Sequence, residues 1–138
     1  MIYKHKVQYY ETDAMRIVHH SNYIRWMEET RVAFLDEIEV PMQMLEEMGL
    51  VCPVLSVSCD YQHMTVFGDT VTIEAKLEEF SGVKMLVSYT MTLPDGRVCC
   101  KARSKHCFMK DGRIVNFKKK YPELYEKFLP EICTSEEK

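Results

Sequence analysis

From residue 55 to residue 108 the chain repeats one pattern, in which apolar and polar residues alternate with a period of two. Leu55, Val57, Cys59 and Tyr61 alternate with Ser56, Ser58 and Asp60; Val71, Ile73, Ala75 and Leu77 alternate with Thr70, Thr72, Glu74 and Lys76. Met85, Val87, Tyr89, Met91 and Leu93 form a third row, and Val98, Cys100, Ala102, Ser104, His106 and Phe108 a fourth. Successive side chains of an extended chain point to opposite faces, so each row predicts a strand with one buried and one wetted side. Pro94-Asp95-Gly96 and Lys110-Asp111-Gly112-Arg113 are turn signals, and short turns require antiparallel pairing. Four such strands read as a meander whose apolar face needs a cover.

The cover comes earlier in the chain. Residues 22–38 predict a helix, with Tyr23, Met27, Thr30, Phe34 and Ile38 recurring at helical spacing and Ser21 or Asn22 able to cap its start. Residues 3–9 predict a first strand, with Tyr3, His5, Val7 and Tyr9 on one face and Lys4, Lys6 and Gln8 on the other. Pro41 suits the first position of a second short helix, which Gly49 closes in a left-handed conformation. A short helix is expected near 122–129 and a frayed tail over 134–138. The order predicts an α+β chain in which an antiparallel five-stranded sheet curls around one long helix. Such a sheet has an exposed edge that a symmetric copy can cover, so a homodimer or a dimer-of-dimers tetramer is expected.

A chain of 138 residues suits one domain, spanning 1–138. A net charge of −3 argues against nucleic acid as a partner. The start, Met1-Ile2-Tyr3-Lys4-His5-Lys6, has no apolar stretch behind it, so neither a signal peptide nor membrane insertion is expected. Cys52, Cys59, Cys99, Cys100, Cys107 and Cys133 lack paired spacing and read as reduced thiols of a cytoplasmic protein.

Reactive residue types concentrate between the first strand and the long helix, in Tyr9-Tyr10-Glu11-Thr12-Asp13 and His19-His20-Ser21-Asn22-Tyr23. A helix start offers unpaired N–H groups that can polarise a thioester carbonyl and hold the oxyanion that develops there. A carboxylate beside it can attack the carbonyl carbon or take a proton from water. By residue type alone, loop acids are more often solvated or capping groups.

Those two segments, with Val18 and Glu28-Glu29-Thr30-Arg31, resemble the signature of the hotdog-fold acyl-CoA thioesterases related to 4-hydroxybenzoyl-CoA thioesterase and to the Tol–Pal-associated branch. The resemblance is specific over residues 7–31 and weaker to about residue 109, including Tyr61 and Gly68-Asp69. It implies hydrolysis of an acyl-CoA or acyl-carrier-protein thioester, with Asp13 as nucleophile or general base. It also implies that the backbone N–H of His20 polarises the carbonyl, while the His20 side chain orients water or the carboxylate, packs, or caps the helix. Tyr9, Glu11, Val18, His19, Asn22 and Tyr23 are the expected substrate-binding residues; Glu11 also suits bracing the loop through backbone N–H groups, and Tyr9 lines the pocket or packs. No metal or cofactor is expected beyond the coenzyme A of the substrate. Two departures stand out: Met15 and Arg16 occupy positions where relatives often carry glycine, and residues 61–69 lack the usual proline and arginine before Gly68-Asp69. The first keeps a non-catalytic acyl-CoA-binding module open as the alternative.

Three further readings follow from the residues. Glu28 and Arg31 suit a structural ion pair three apart on the helix, with Glu28 a reserve catalytic acid. His19, His20 and His63 have no metal-ligand spacing. Lys101, Arg103 and Lys105, with Lys118-Lys119-Lys120, form rows that are solvated or anchor a phosphate.

Overall fold

The computed structural model describes residues 1–133; the expected tail over 134–138 lies outside them. Strand β1 (Ile2–Lys6) leads to helix α1 (Ser21–Glu37), then α2 (Met42–Glu47) and a two-residue strand β2 (Leu50–Val51). The main strands follow: β3 (Val54–Tyr61), β4 (Thr70–Phe80), β5 (Lys84–Thr92) and β6 (Val98–Cys107). Short strands β7 (Met109–Lys110) and β8 (Arg113–Ile114) and helices α3 (Phe117–Lys120) and α4 (Pro122–Tyr125) complete the chain, with a 3-10 turn at Leu129–Glu131. No helix of the described residues is long and apolar enough to cross a membrane.

The expected α+β architecture is present, a five-stranded antiparallel sheet covered by α1. Its order, β1-β4-β5-β6-β3, corrects the expected four-strand meander. Only β4, β5 and β6 follow one another. β3 runs antiparallel to β6 at the far edge, with Tyr61 opposite Cys100 and Cys59 opposite Ala102. Residues 62–69 make this crossing possible, because they are too many for a tight hairpin turn. A register shift between Val54 and Ser56 also takes Leu55 out of the alternation, and it stands 49% exposed.

The inner face is as the period implies. Val71, Ile73, Ala75 and Leu77 of β4 and Met85, Val87, Tyr89 and Met91 of β5 are all buried. They meet the α1 stripe of Tyr23, Met27, Thr30 and Phe34, joined by Trp26 and Leu35. Each large side chain removed from water there contributes about 1.5–3 kcal/mol. Phe80, Phe108, Phe117 and Phe128 form an aromatic cluster at one end, with Phe108 and Phe117 stacked at 4.5 Å. The expected 122–129 helix is shorter, ending at Tyr125.

β1 ends at Lys6 rather than residue 9. The Glu11 carboxylate accepts the Gln8 N–H at 2.8 Å, and the Glu11 N–H donates to the Gln8 carbonyl at 3.0 Å. That reciprocal pair turns the backbone into a 3-10 turn over Tyr9–Glu11 and leaves Tyr9 77% exposed. Neither Ser21 nor Asn22 caps α1 through its side chain. Instead the Ser21 N–H donates to His19 Nδ1 at 3.2 Å.

Candidate active site

The loop between β1 and α1 is shaped by its own hydrogen bonds. Thr12 and Val18 form a single antiparallel bridge, and inside it the Asp13 N–H donates to the Ile17 carbonyl at 2.9 Å. The Met15 N–H donates to Asp13 Oδ1 at 2.8 Å, and the Arg16 N–H donates to the Asp13 carbonyl at 2.9 Å. Arg16 closes this turn at φ 66°, a left-handed conformation that glycine adopts more easily. Asp13 is left half-buried, its carboxylate oriented by one backbone donor.

Asp13 lines a cavity of about 360 Å³. One wall is the loop and the start of α1, with Ile17, Val18, His20 and Tyr23; the other is the end of β3 and its exit, with Tyr61, Gln62, His63 and Met64. The Val18 N–H donates to the Thr65 carbonyl at 2.8 Å, and Tyr23 Oη pairs with Thr65 Oγ1 at 2.7 Å, joining the walls. Tyr61 Oη donates to the His20 carbonyl at 3.3 Å. Burial pushes the Tyr23 phenol up to about 12. Burial and a hydrogen bond with the Cys59 thiol raise that of Tyr61. Both phenols therefore stay protonated.

Four of the expected site residues, Asp13, Val18, His20 and Tyr23, are brought together on this cavity. Glu11, His19, Asn22 and Tyr9 are not among its lining residues. His19 is exposed and stacks on the His20 ring at 4.2 Å, and Tyr9 is exposed against Phe67, edge to face at 5.7 Å. Asn22 is buried and donates from Nδ2 to the carbonyls of Glu11, at 2.9 Å, and His19, at 3.2 Å. Glu11 is the hub of the loop. Its carboxylate takes the Gln8 N–H, His5 Nε2 at 2.8 Å and the Trp26 Nε1–H at 2.6 Å, and its carbonyl also takes the His19 N–H at 2.9 Å. Burial works against its charge, but the hydrogen bonds from Gln8, His5 and Trp26 outweigh it and hold the Glu11 carboxyl below its ordinary range.

Sequence reasoning did not select Ile17, Gln62, His63 or Met64 as site residues. Residues 62–66 have no periodicity and reach Asp13 only because β3 exits beside the helix start. His5 lies on the expected first strand, and Trp26 falls within the expected helix but outside its apolar stripe; their polar atoms matter because both meet one buried acid.

At the helix start, the N–H groups of Ser21, Asn22 and Tyr23 turn back to His19 Nδ1 and the carbonyls of His19 and His20, and that of His20 is not among the donors these contacts use. A carboxylate beside such a terminus can activate water while the terminus draws charge onto a carbonyl oxygen. Among the described residues no three His, Cys, Asp or Glu side chains group as metal ligands would.

A second, mainly apolar cavity of about 290 Å³ lies between α1, α2 and the sheet, lined by Val32, Leu35, Met42, Val54 and Val87 with Glu28 and Arg31. No ion pair joins Glu28 to Arg31 among the described residues, which corrects that expectation. Arg31 donates instead to Tyr89 Oη at 3.2 Å. Tyr89 Oη meets Ser104 Oγ at 2.8 Å, and Ser104 Oγ meets His106 Nε2 at 2.7 Å. Lys101, Arg103 and Lys105 are exposed on β6, alternating with buried Ala102 and Ser104, and line neither cavity.

Comparison with known proteins agrees with this architecture. The family model for the thioesterase-like superfamily matches residues 7–128. A protein of Aquifex aeolicus, provisionally named an esterase, is 40% identical over 123 residues, covering 89% of this chain and 95% of that protein. YneP of Bacillus subtilis, provisionally named an acyl-CoA thioesterase, is 32% identical over 127 residues, covering 88% and 92%. The crystal structure of DHNA-CoA thioesterase from Staphylococcus aureus shares the fold, with a TM-score of 0.89 at 19% identity over 94% of this chain and 88% of that one. The chain belongs to the thioesterase-like superfamily and is a thioesterase of the hotdog fold.

Proposed function

We propose that this thioesterase hydrolyses an acyl-CoA or acyl-carrier-protein thioester to the free acid and thiol, with Asp13 as the reacting carboxylate. The observation that carries the reading is the half-buried Asp13 on the cavity wall beside the start of α1, with Oδ1 held by the Met15 N–H. The thioester carbonyl would point at the helix start, where the His20 N–H stabilises the oxyanion. Asp13 either takes a proton from the attacking water or attacks the carbonyl carbon itself, giving a mixed anhydride that water then opens. The leaving thiolate takes a proton, and no metal or redox cofactor enters the step. Asp13→Asn keeps the shape of the loop and removes the basic oxygen. It is expected to lower kcat at least a hundredfold, in the range typical of general-base loss, and full activity across short, long and aromatic acyl-CoAs would sink the mechanism. Single-turnover reaction in heavy-oxygen water separates the two roles, because only direct attack places label in the Asp13 carboxylate.

The site is proposed to be completed by a second copy of the chain in a homodimer, the unit from which a dimer-of-dimers tetramer would be built. β3 is an edge strand of eight residues with Val54, Leu55 and Tyr61 exposed at 49%, 49% and 45%. Pairing β3 with its own copy about a two-fold axis sets the Val54 end of one strand beside the Tyr61 end of the other. The Asp13 cavity, at the Tyr61 end, then faces the partner's apolar cavity, at the Val54 end, which suits an acyl group. The six cysteines are free thiols, which supports a working place in the cytoplasm.

A further inference from the structure

The buried carboxylate of Glu11 is one end of a polar chain that the proposed reaction does not itself use. His5 Nε2 lies 2.8 Å from Glu11 Oε1, and His5 Nδ1 lies 2.8 Å from Glu29 Oε2 on α1. His5 is buried, and its ring lies 4.7 Å from that of Trp26. The groups facing this chain are few. Tyr3 Oη donates to Glu29 Oε2 at 3.2 Å and the Trp26 Nε1–H donates to Glu11 Oε2, while across the sheet His5 stands opposite the uncharged Val71.

Counting protons constrains the chain. A neutral imidazole has one N–H and one lone pair, whereas two ring–carboxylate contacts of this length need two protons. With only one, a ring lone pair would face a carboxylate lone pair, a mismatch that costs most at the buried Glu11 end, while the Glu29 side chain at the other end is 40% exposed. The backbone and indole donors on Glu11 favour its ionised form.

We propose that Glu29, His5 and Glu11 form a proton-sharing strut, with His5 donating from both ring nitrogens, that positions Asp13 for hydrolysis. The proposal rests on the reading of Asp13 as the reacting carboxylate. The strut reaches the site through the backbone. The Glu11 carbonyl holds the His19 N–H and Asn22 Nδ2 at the helix start, and Asp13 follows Glu11 by two residues. The rigid body at the other end is α1, which contributes both Glu29 and Trp26. Glu11, His5 and Glu29 are thus positioning residues that touch no substrate.

The test is the pH dependence of kcat and KM for the wild type, Glu29→Gln and His5→Asn, with an acyl-CoA that the wild type turns over. Wild-type kcat is expected to fall on the alkaline side as the second proton leaves and one contact turns repulsive. In E29Q the introduced amide can donate to Nδ1, so a neutral ring suffices and the alkaline fall is expected to disappear. H5N removes the strut and is expected to lower kcat about ten- to a hundredfold with KM little changed. An E29Q profile superimposable on the wild type, or H5N that loses thermal stability but keeps kcat per folded molecule, overturns the proposal. Nitrogen-15 spectra of histidine-labelled wild type read the strut without turnover. Two protonated ring nitrogens on His5 at neutral pH support it, and a neutral ring overturns it. Two protonated nitrogens in a protein that hydrolyses nothing would support the strut and defeat the hydrolytic reading instead.

Discussion

At the scale of single residues, chemistry here is decided by what each polar atom meets. Asp13 and Glu11 lie two positions apart and are equally acidic in composition. Glu11 is buried and satisfied by Gln8, His5 and Trp26, whereas Asp13 is half-buried on a cavity wall. His106 shows the same rule with opposite charge logic. Burial, and then the charge of Arg31, lower its pKa from 6.5 to about 4, so it is held neutral beside Ser104. Below 6.5 the unfolded chain takes up a proton at His106 that the folded chain refuses until about 4. Stability should therefore fall through that window as pH decreases, by on the order of 2–3 kcal/mol from this residue. Urea titrations of wild type and His106→Gln across the same range check this. The variant should show the shallower fall, and parallel curves would contradict the assignment.

At the scale of elements, the local patterns are strong where one side chain set decides and weak where a distant group intervenes. The alternating rows of β4, β5 and β6 and the apolar stripe of α1 were legible because burial repeats with the period of the backbone. The end of β1 was not legible, since the turn at Tyr9–Glu11 depends on Glu11 reaching back to Gln8. Nor was the bulge that displaces Leu55. The β4–β5 hairpin carries a testable constraint of this kind. Gly82 has φ 106°, and a Cβ there would lie 2.6 Å from Lys118 Cβ, while its carbonyl takes the Phe117 N–H. Gly82→Ala should destabilise by about 1–3 kcal/mol through backbone strain and the displaced α3. Thermal unfolding measures it, and an unchanged midpoint would mean that the hairpin and α3 do not bear on each other as described.

At the scale of the whole molecule, the proposed two-chain site makes an arithmetic prediction. Asp13→Asn removes the reacting carboxylate of a protomer, and Val54→Trp fills the apolar cavity of a protomer. Each variant alone is expected to be inactive, because every site then lacks one half. Mixing equal amounts under exchange makes half the dimers mixed, each with one intact site, so about a quarter of wild-type activity should return. No gain on mixing, with exchange shown by a tagged protomer, would place both halves of the site in one chain.

The sequence by itself determined the secondary structure of the central elements, the α+β class and the segment that holds Asp13, because these depend on periodicity and on residues close in the chain. Its likeness over residues 7–31 pointed to the hotdog thioesterases before any contact was known. Only the tertiary structure decided the rest. It set β3 at the sheet edge against β6, brought residues 61–64 opposite Asp13, and turned Arg31 from Glu28 to Tyr89. It also joined His5 and Glu29 to Glu11 across three elements. The physical reason is the same in each case. Hydrogen bonds and close packing act between atoms that the fold brings together, and no local pattern records which distant partner a polar side chain will meet.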